Sequence, residues 1–443
     1  MIEKIPTVSN FRVFKNRKDI LKNPLPFHRE NFDVLGSIFK VKIGPPGGII
    51  FTRDPEFIKQ ILQKNHRNYN KSPLQTRDLS KYIGQGLLTA NGEHWRTHRR
   101  MIQPAFHKKK LIGLVDTMNR AIEKELEGIL PNQLQDIYPL LGDLAFQTVA
   151  QSLFSRDDIQ KEMTELKDIT EANQKMLIRE MRQPYLKWWY TLSGKINHHL
   201  MLSKRARHIL NEIIEHRIGS KKDKDDLLDM LLNAKYEDET SMSRQQLIDE
   251  VLILFTAGHE TTANALGFTL YLLAKNRDVQ EKAFQEVERT DLDTNPIFES
   301  LSALTYVQQC IEEGMRLYPP AYYIDRMSIG EDQLGNHKIP KNTMLLLAIY
   351  ELHRDPNCWE APDMFDPERF APSKKKDYSD YYFPFGAGPR MCIGNNFAMY
   401  EMVLTVARIL KKYDLSTTNG DIEVNPLISL KPKSVPIKFT PRK

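Results

Sequence analysis

Apolar positions along the chain recur with two periods. Between residues 38 and 51, Phe39, Val41 and Ile43 alternate with lysines, and Gly44-Pro45-Pro46-Gly47-Gly48 turns the chain into Ile49-Ile50-Phe51. A period of two on both sides of a turn predicts a strand hairpin. Asp54 followed by Pro55 predicts a helix start, with Phe57, Ile58, Ile61 and Leu62 as the buried stripe. Residues 70 to 90 are polar and glycine-spotted and predict a loop over a pocket. From 111 to about 232 the pattern is helical, with turns near Pro131, Asn132 and Ser155. Within that run, residues 183 to 193 hold Pro184, Tyr185, Trp188, Trp189 and Tyr190, an aromatic cluster placed to form a packed loop or a lid. Residues 220 to 226 are a charged surface link. Ser243, with Gln246 three residues on, predicts the capping box of a long helix reaching about Lys275. Residues 306 to 318 predict another helix, stopped by Pro319-Pro320, with a strand at 344 to 348. A last helix covers 396 to 410, followed by short strand-like pieces, of which 426 to 430 is placed to return to the pocket.

Composition narrows the class. The 443 residues are 41% hydrophobic and 27% charged, enough to bury a large core. Three cysteines, Cys310, Cys358 and Cys392, are too few for a disulfide scaffold and fit a reducing compartment. The longest apolar stretch, 251 to 274, is interrupted by His259 and Glu260, which predicts a buried helix and not a membrane span. No leader or anchor is visible in the first 25 residues, so the expectation is a soluble, cytoplasmic protein, without a membrane partner. Sixty-three basic against 57 acidic residues is too small an excess to indicate nucleic acid, and permits an acidic protein partner.

Two stretches carry chemistry. In mid-helix, Ala257-Gly258-His259-Glu260-Thr261-Thr262 combines a glycine, which costs about 1 kcal/mol relative to alanine, with an acid in apolar surroundings. Two local penalties at one point suggest function. Ala257 and Thr261 share a face, and His259 points away from it. The second stretch, Phe385-Gly-Ala-Gly-Pro-Arg-Met-Cys-Ile-Gly394, boxes Cys392 between glycines just ahead of a helix. Glycines 386, 388 and 394 permit positive φ and close approach to a flat partner. Amides at the helix start favour thiolate over thiol, and Arg390 is placed to pair with an acidic group on whatever the sulfur binds.

This loop resembles the Phe-x-x-Gly-x-Arg-x-Cys-x-Gly signature of the cytochrome P450 superfamily, with every fixed position filled, and residues 257 to 262 resemble its oxygen-binding helix. Trp95 and Arg99 match the family's Trp-x-x-x-Arg pair. Glu313 and Arg316, with Arg369 in Asp366-Pro-Glu-Arg-Phe370, match its Glu-x-x-Arg and Pro-Glu-Arg-Phe arrangement. The four motifs occur in the family's order and span nearly the whole chain. The resemblance implies a mainly α fold, one haem domain over 1–443, with a large helical lobe, a small sheet lobe near the N-terminus, and haem between the central helix and the cysteine loop. It further implies haem b with Cys392 as axial iron ligand, and Trp95, Arg99, Ala257, Gly258, Arg326, Phe385, Arg390 and Gly394 against the haem. Gly258 would leave room for dioxygen, Glu260 and Thr261 would deliver protons to it, and Glu313, Arg316 and Arg369 would form a buried structural network. His259 occupies a free position and is expected to be structural.

The 51 residues after Cys392, 393 to 443, leave no room for a fused flavin reductase, so electrons are expected from NAD(P)H through a ferredoxin reductase and a ferredoxin. Arg96, Arg100, Lys108, Lys109, Lys110 and Lys374 to Lys376 offer a basic docking face. The segments expected to line the pocket are polar: Gln75, Arg77, Tyr82 and Gln85; Arg179, Arg182, Gln183 and Trp188; Tyr322 and Tyr323. Flat aromatic faces with polar tips suit a sugar. The chain is similar to soluble bacterial family members that demethylate 6-O-methyl-D-galactose, which implies a monooxygenase performing O-demethylation. The alternatives are a fatty-acid or terpenoid hydroxylase, a peroxide-driven peroxygenase, against which the Glu260–Thr261 pair argues, and a non-enzymatic haem-thiolate sensor.

Overall fold

Ser243 starts the element on which the others pack: its hydroxyl accepts from the Gln246 amide at 3.2 Å, and the helix runs unbroken from Arg244 to Lys275. The capping box is one-sided, because the Gln246 side chain donates to Gln85 O and to Glu250 instead of returning to the cap. Leu252, Phe255, Leu266, Leu270 and Leu273 are buried along this helix, each contributing about 1.5–3 kcal/mol by the apolar surface it removes from water. In this computed structural model, which describes residues 3–42, 48–156, 158–220, 223–293, 297–418 and 420–442, the helices that position the site are, in chain order, α1 (Gly92–Ile102), α2 (Lys108–Leu126), α3 (Tyr138–Phe154), α4 (Gln160–Arg182), α5 (Lys195–Ser220), α6 (Arg244–Lys275), α7 (Thr305–Leu317) and α8 (Asn395–Lys412). The central helix α6 packs along α3, α5, α7 and α8. Among the described residues no helix is long and apolar enough to cross a membrane.

The sheet is built from β1 (Thr7–Val8), β2 (Ile38–Val41), β3 (Ile49–Thr52), β4 (Tyr69–Asn70), β5 (Ile324–Ser328) and β6 (Met344–Leu347), in the spatial order β1-β2-β3-β6-β5-β4. Strands β2 and β3 pair antiparallel with Phe39 opposite Phe51, as the alternation predicts; the turn at 43–47 lies outside the described residues. The lobe is less N-terminal than expected. Strand β6 joins β3 in parallel, with Leu345 opposite Ile50, and a parallel neighbour must arrive by a long crossover. A separate hairpin, β7 (Val424–Pro426) and β8 (Leu430–Pro432), pairs Pro426 with Leu430 and puts Leu427, Ile428 and Ser429 at its tip.

Several elements differ from their sequence pattern. Residues 70 to 90 contain helical turns over Leu74–Leu79 and Ser80–Ile83. The aromatic segment is a short turn and a helix, Lys187–Leu192, that buries Tyr190 but leaves Trp188 and Trp189 exposed. Asp54 caps its helix as expected, its carboxylate accepting from the Glu56 and Phe57 amides.

Candidate active site

Along the buried central helix, Ala257 and Thr261 are exposed, and Leu254 and Gly258 are half-buried. Their spacing of three and four puts them on one face. An accessible stripe in the middle of an otherwise buried helix is the wall of an internal cleft. Cys392 shows the same combination. It lies deep enough that burial pushes its thiol up, against the opposing effects of the Gly394 amide and the Arg99 charge, yet it is exposed. A group that is both deep and accessible borders a cleft.

The cysteine loop is fixed by its backbone. Cys392 N donates to Phe385 O at 2.9 Å, and Gly386 N to Phe383 O at 3.0 Å. Gly388 has φ +69°, and a Cβ there would meet Leu62 O at 2.1 Å, so no other residue fits. Gly394 is different from the expectation. Its φ is −90°, and a Cβ on it would meet no protein atom. It leaves space beside the sulfur.

Three cations gather nearby. Arg326, on β5, is buried and donates to Asp325 O at 2.7 Å, while its Nε has no partner. Burial pushes it down to about 10 despite Asp325, and Arg390 adds to the effect. Arg390 donates to Tyr69 O (2.8 Å) and His66 O (3.1 Å), its Nε also unpartnered, and lies 5.0 Å over the Trp95 ring. Lys71 donates to the carbonyls of Leu87 and Ala90. Burial pushes its ammonium well below the ordinary lysine range, reinforced by Arg326 and Arg390. Asp325 is turned away, accepting from Ser72 N and Gln75 Nε2. Buried cations with unspent donors suit a ligand carrying carboxylates, as the two propionates of haem b do. The Trp95–Arg99 pair divides: Trp95 packs under Arg390, whereas Arg99 donates to Met391 O of the cysteine loop at 2.8 Å.

On the helix side, Thr261 Oγ1 donates to Ala257 O at 2.9 Å, and Glu260 accepts from the Ser429 hydroxyl at 2.6 Å. Glu260 and Thr261 sit side by side, each bonded to a different partner. At Gly258 a Cβ would lie 3.0 Å from Val149, so its lack of a side chain also serves the close approach of α3. His259 is buried, bonded through Nδ1 to Phe255 O and packed against Phe146; burial pushes its imidazole down.

Behind the loop, Glu313 and Arg316 are fully buried and joined by two bonds of 2.6 and 2.8 Å, with Arg316 also donating to the carbonyls of His353, Pro362 and Met364. Arg369 approaches Glu313 within 3.4 Å. The structure thus brings the three network residues together.

The expected substrate residues are not brought together. Arg77 pairs with Asp78 and is 69% exposed, and Trp188 is 62% exposed. Tyr82 is buried on Glu180, and Tyr323 is spent on His28. Gln75 is bonded to Asp325. Arg182 and Tyr322 do approach the site, but donate to Pro426 O and Leu427 O of the β7–β8 hairpin. Lys71 and Ser429 were missed. Neither sits in a recognisable pattern; only the return of residues 426 to 430 toward the pocket pointed at Ser429.

Comparison with known proteins accounts for this arrangement. The family model for cytochrome P450 matches residues 5–439. Among similar proteins are the cyclooctat-9-en-7-ol 5-monooxygenase of Streptomyces melanosporofaciens, 29% identical over 387 residues that cover 87% of this chain and 84% of that one, and the 11-oxo-beta-amyrin 30-oxidase of Glycyrrhiza uralensis, 31% identical over 409 residues covering 87% and 77%. The solved structure of the cytochrome P450DA heme domain superimposes with a TM-score of 0.85 at 22% identity, covering 100% of this chain and 99% of that one. The chain belongs to the cytochrome P450 family and is a haem-dependent monooxygenase.

Proposed function

We propose that this chain hydroxylates an unactivated C–H bond of a ring-built hydrocarbon of the terpenoid class. The supporting observation is the accessible stripe of α6. Leu254, Ala257 and Gly258 are apolar, and the one hydroxyl, on Thr261, is spent on Ala257 O. Such a wall offers a hydrocarbon contact area and offers a sugar no donors. The cyclooctatenol and the amyrin for which two relatives are named are bulky, mostly hydrocarbon molecules. Demethylation of 6-O-methyl-D-galactose loses its support, because Gln75, Arg77, Tyr82 and Tyr323 are committed to other protein groups or to solvent.

In this reading Cys392 would hold the haem iron as thiolate, with the Gly394 amide and the Arg99 guanidinium favouring its charge. Arg326, Arg390 and Lys71 would neutralise the haem propionates, with Arg390 held over Trp95. Phe385 and Gly394 would border the haem on the cysteine side and Ala257 on the helix side. Bound thiolate-ligated haem supplies cleavage of dioxygen, with overall stoichiometry R–H + O2 + 2 e⁻ + 2 H⁺ → R–OH + H2O. Glu260 supplies protons, and the Thr261 hydroxyl orients their acceptor. Electrons come from NAD(P)H through a ferredoxin reductase and a ferredoxin, whose acidic surface would dock on exposed Lys108, Lys109 and Lys110 at the start of α2 and on Lys375 and Lys376. Arg96 and Arg100 contribute less, since each already faces an acid, Glu93 and Glu237.

The test is a titration of the ferric protein with a diterpene alcohol, a fatty acid and 6-O-methyl-D-galactose, following the haem absorption band. The diterpene alcohol is expected to shift the band from the low-spin toward the high-spin position. A shift with the sugar alone would restore the demethylase.

A further inference from the structure

Glu260 is tied to a residue from the far end of the chain. Its carboxylate accepts from Ser429 Oγ at 2.6 Å; Ser429 Oγ accepts from Asn264 Nδ2 at 3.0 Å; and Asn264 Oδ1 accepts from the Tyr138 hydroxyl at 2.7 Å. Glu260 and Asn264 are four apart on α6 and share a face, so the hairpin tip bridges them. Asn264 and Ser429 are buried, whereas Tyr138, at the start of α3, is half-buried.

The chain of bonds has one direction. An ionised carboxylate only accepts, and a serine hydroxyl has one proton to give. If that proton goes to Glu260, Asn264 must present its amide protons to Ser429 and its oxygen to Tyr138, as it does. An amide does not readily pass a proton on, so the row orients the carboxylate and does not feed it. It also turns Glu260 toward the hairpin and not toward Thr261, with which it makes no hydrogen bond.

We propose that Ser429 is the positioning residue for Glu260: held by Asn264 and Tyr138, it keeps the carboxylate against the β7–β8 hairpin, and proton delivery by Glu260 requires that this bond open. The proposal rests on the reading of Glu260 as the proton-supplying acid. The same tip is held by Arg182 at Pro426 O and by Tyr322 at Leu427 O, so the two residues just before Ile428 and Ser429 are anchored to the elements expected around the substrate. The titratable groups that feel Glu260 are Tyr138 and His259 beside it on α6; Glu171 of α4 acts on both of these, Lys167 of α4 on His259, and Asp136 on Tyr138. None of these takes the place of Ser429 at its carboxylate.

The experiment compares wild type, Ser429→Ala, Ser429→Thr, Glu260→Gln and the Ser429→Ala/Glu260→Gln double variant, all haem-loaded. In the ferric state, the infrared carboxylate bands of Glu260, isolated by subtracting Glu260→Gln, are expected to shift in Ser429→Ala and to return in Ser429→Thr. With dioxygen alone, NADPH and a plant-type ferredoxin and reductase as surrogate donors, substrate-free oxygen reduction is expected to rise about tenfold in Ser429→Ala, the equivalent of one hydrogen bond to a charged group, and to be unchanged by Ser429→Ala on the Glu260→Gln background. Unshifted bands, or an equal change on both backgrounds, would overturn the role of Ser429 while leaving Glu260 in place. An oxygen-reduction rate and peroxide share unaffected by Glu260→Gln would overturn both.

Discussion

Glu401, nine residues beyond Cys392 on α8, is fully buried, and neither of its carboxylate oxygens has a hydrogen-bond partner among the described residues. Thr148 of α3 lies beside it, but gives its hydroxyl proton to Leu144 O. Burial therefore pushes the Glu401 carboxyl well above the ordinary value of 4.5, opposed only by Thr148. The folded protein keeps a proton there that the unfolded chain releases above that value. The sign follows: the stabilisation from this protonation is complete below pH 4.5 and is lost as pH rises toward the folded value. Between the two, the slope is about 1.4 kcal/mol per pH unit, a sizeable share of a total of roughly 5–15. Glu401→Gln has no proton to lose. Whatever constant offset the amide introduces, the difference between variant and wild type should tilt toward the variant by that slope. Urea unfolding of the haem-loaded proteins at several pH values between 5 and 7, followed by circular dichroism, reads it directly. Parallel stability curves would refute the reasoning, because they would mean that Glu401 finds a partner and ionises in the folded state.

Two further outcomes follow from the surroundings of the cysteine loop. Arg316→Leu leaves buried Glu313 with only the Asp366 amide and the more distant Arg369, and three carbonyls without a donor, and should cost about 3–5 kcal/mol in urea unfolding; a loss below about 1 kcal/mol would show that the network relaxes freely. Gly388→Ala puts a methyl group on the Leu62 carbonyl at φ +69°, a contact no rotamer relieves, and should move the loop enough to lose the thiolate spectrum. A variant with that spectrum and an unchanged melting temperature would contradict the strain.

The elements that the sequence made legible are those set by local rules. Ser243, Asp54 and the proline pair after α7 mark helix ends through chemistry within a few residues, and the observed boundaries lie within two residues of the expected ones for α6, α7 and α8. The motif residues fall where one helix or one loop places them. The pocket was misread because side-chain direction there depends on partners remote in sequence: Gln75 on Asp325, Tyr82 on Glu180, Arg182 on Pro426, Tyr323 on His28. A polar residue looks available in a sequence until its partner is known. Gly258 and Gly394 show the same limit in reverse. One glycine expected only at the cleft also serves helix packing, and one expected to bend the backbone leaves open space.

The most direct test of the account is the reduced, carbon monoxide-bound difference spectrum of the haem-loaded protein and of Cys392→Ser. The account predicts a thiolate-type band in the wild type that is lost in the variant. A thiolate-type band surviving in Cys392→Ser would contradict it, since the sulfur at the wall of the cleft would not be the iron ligand.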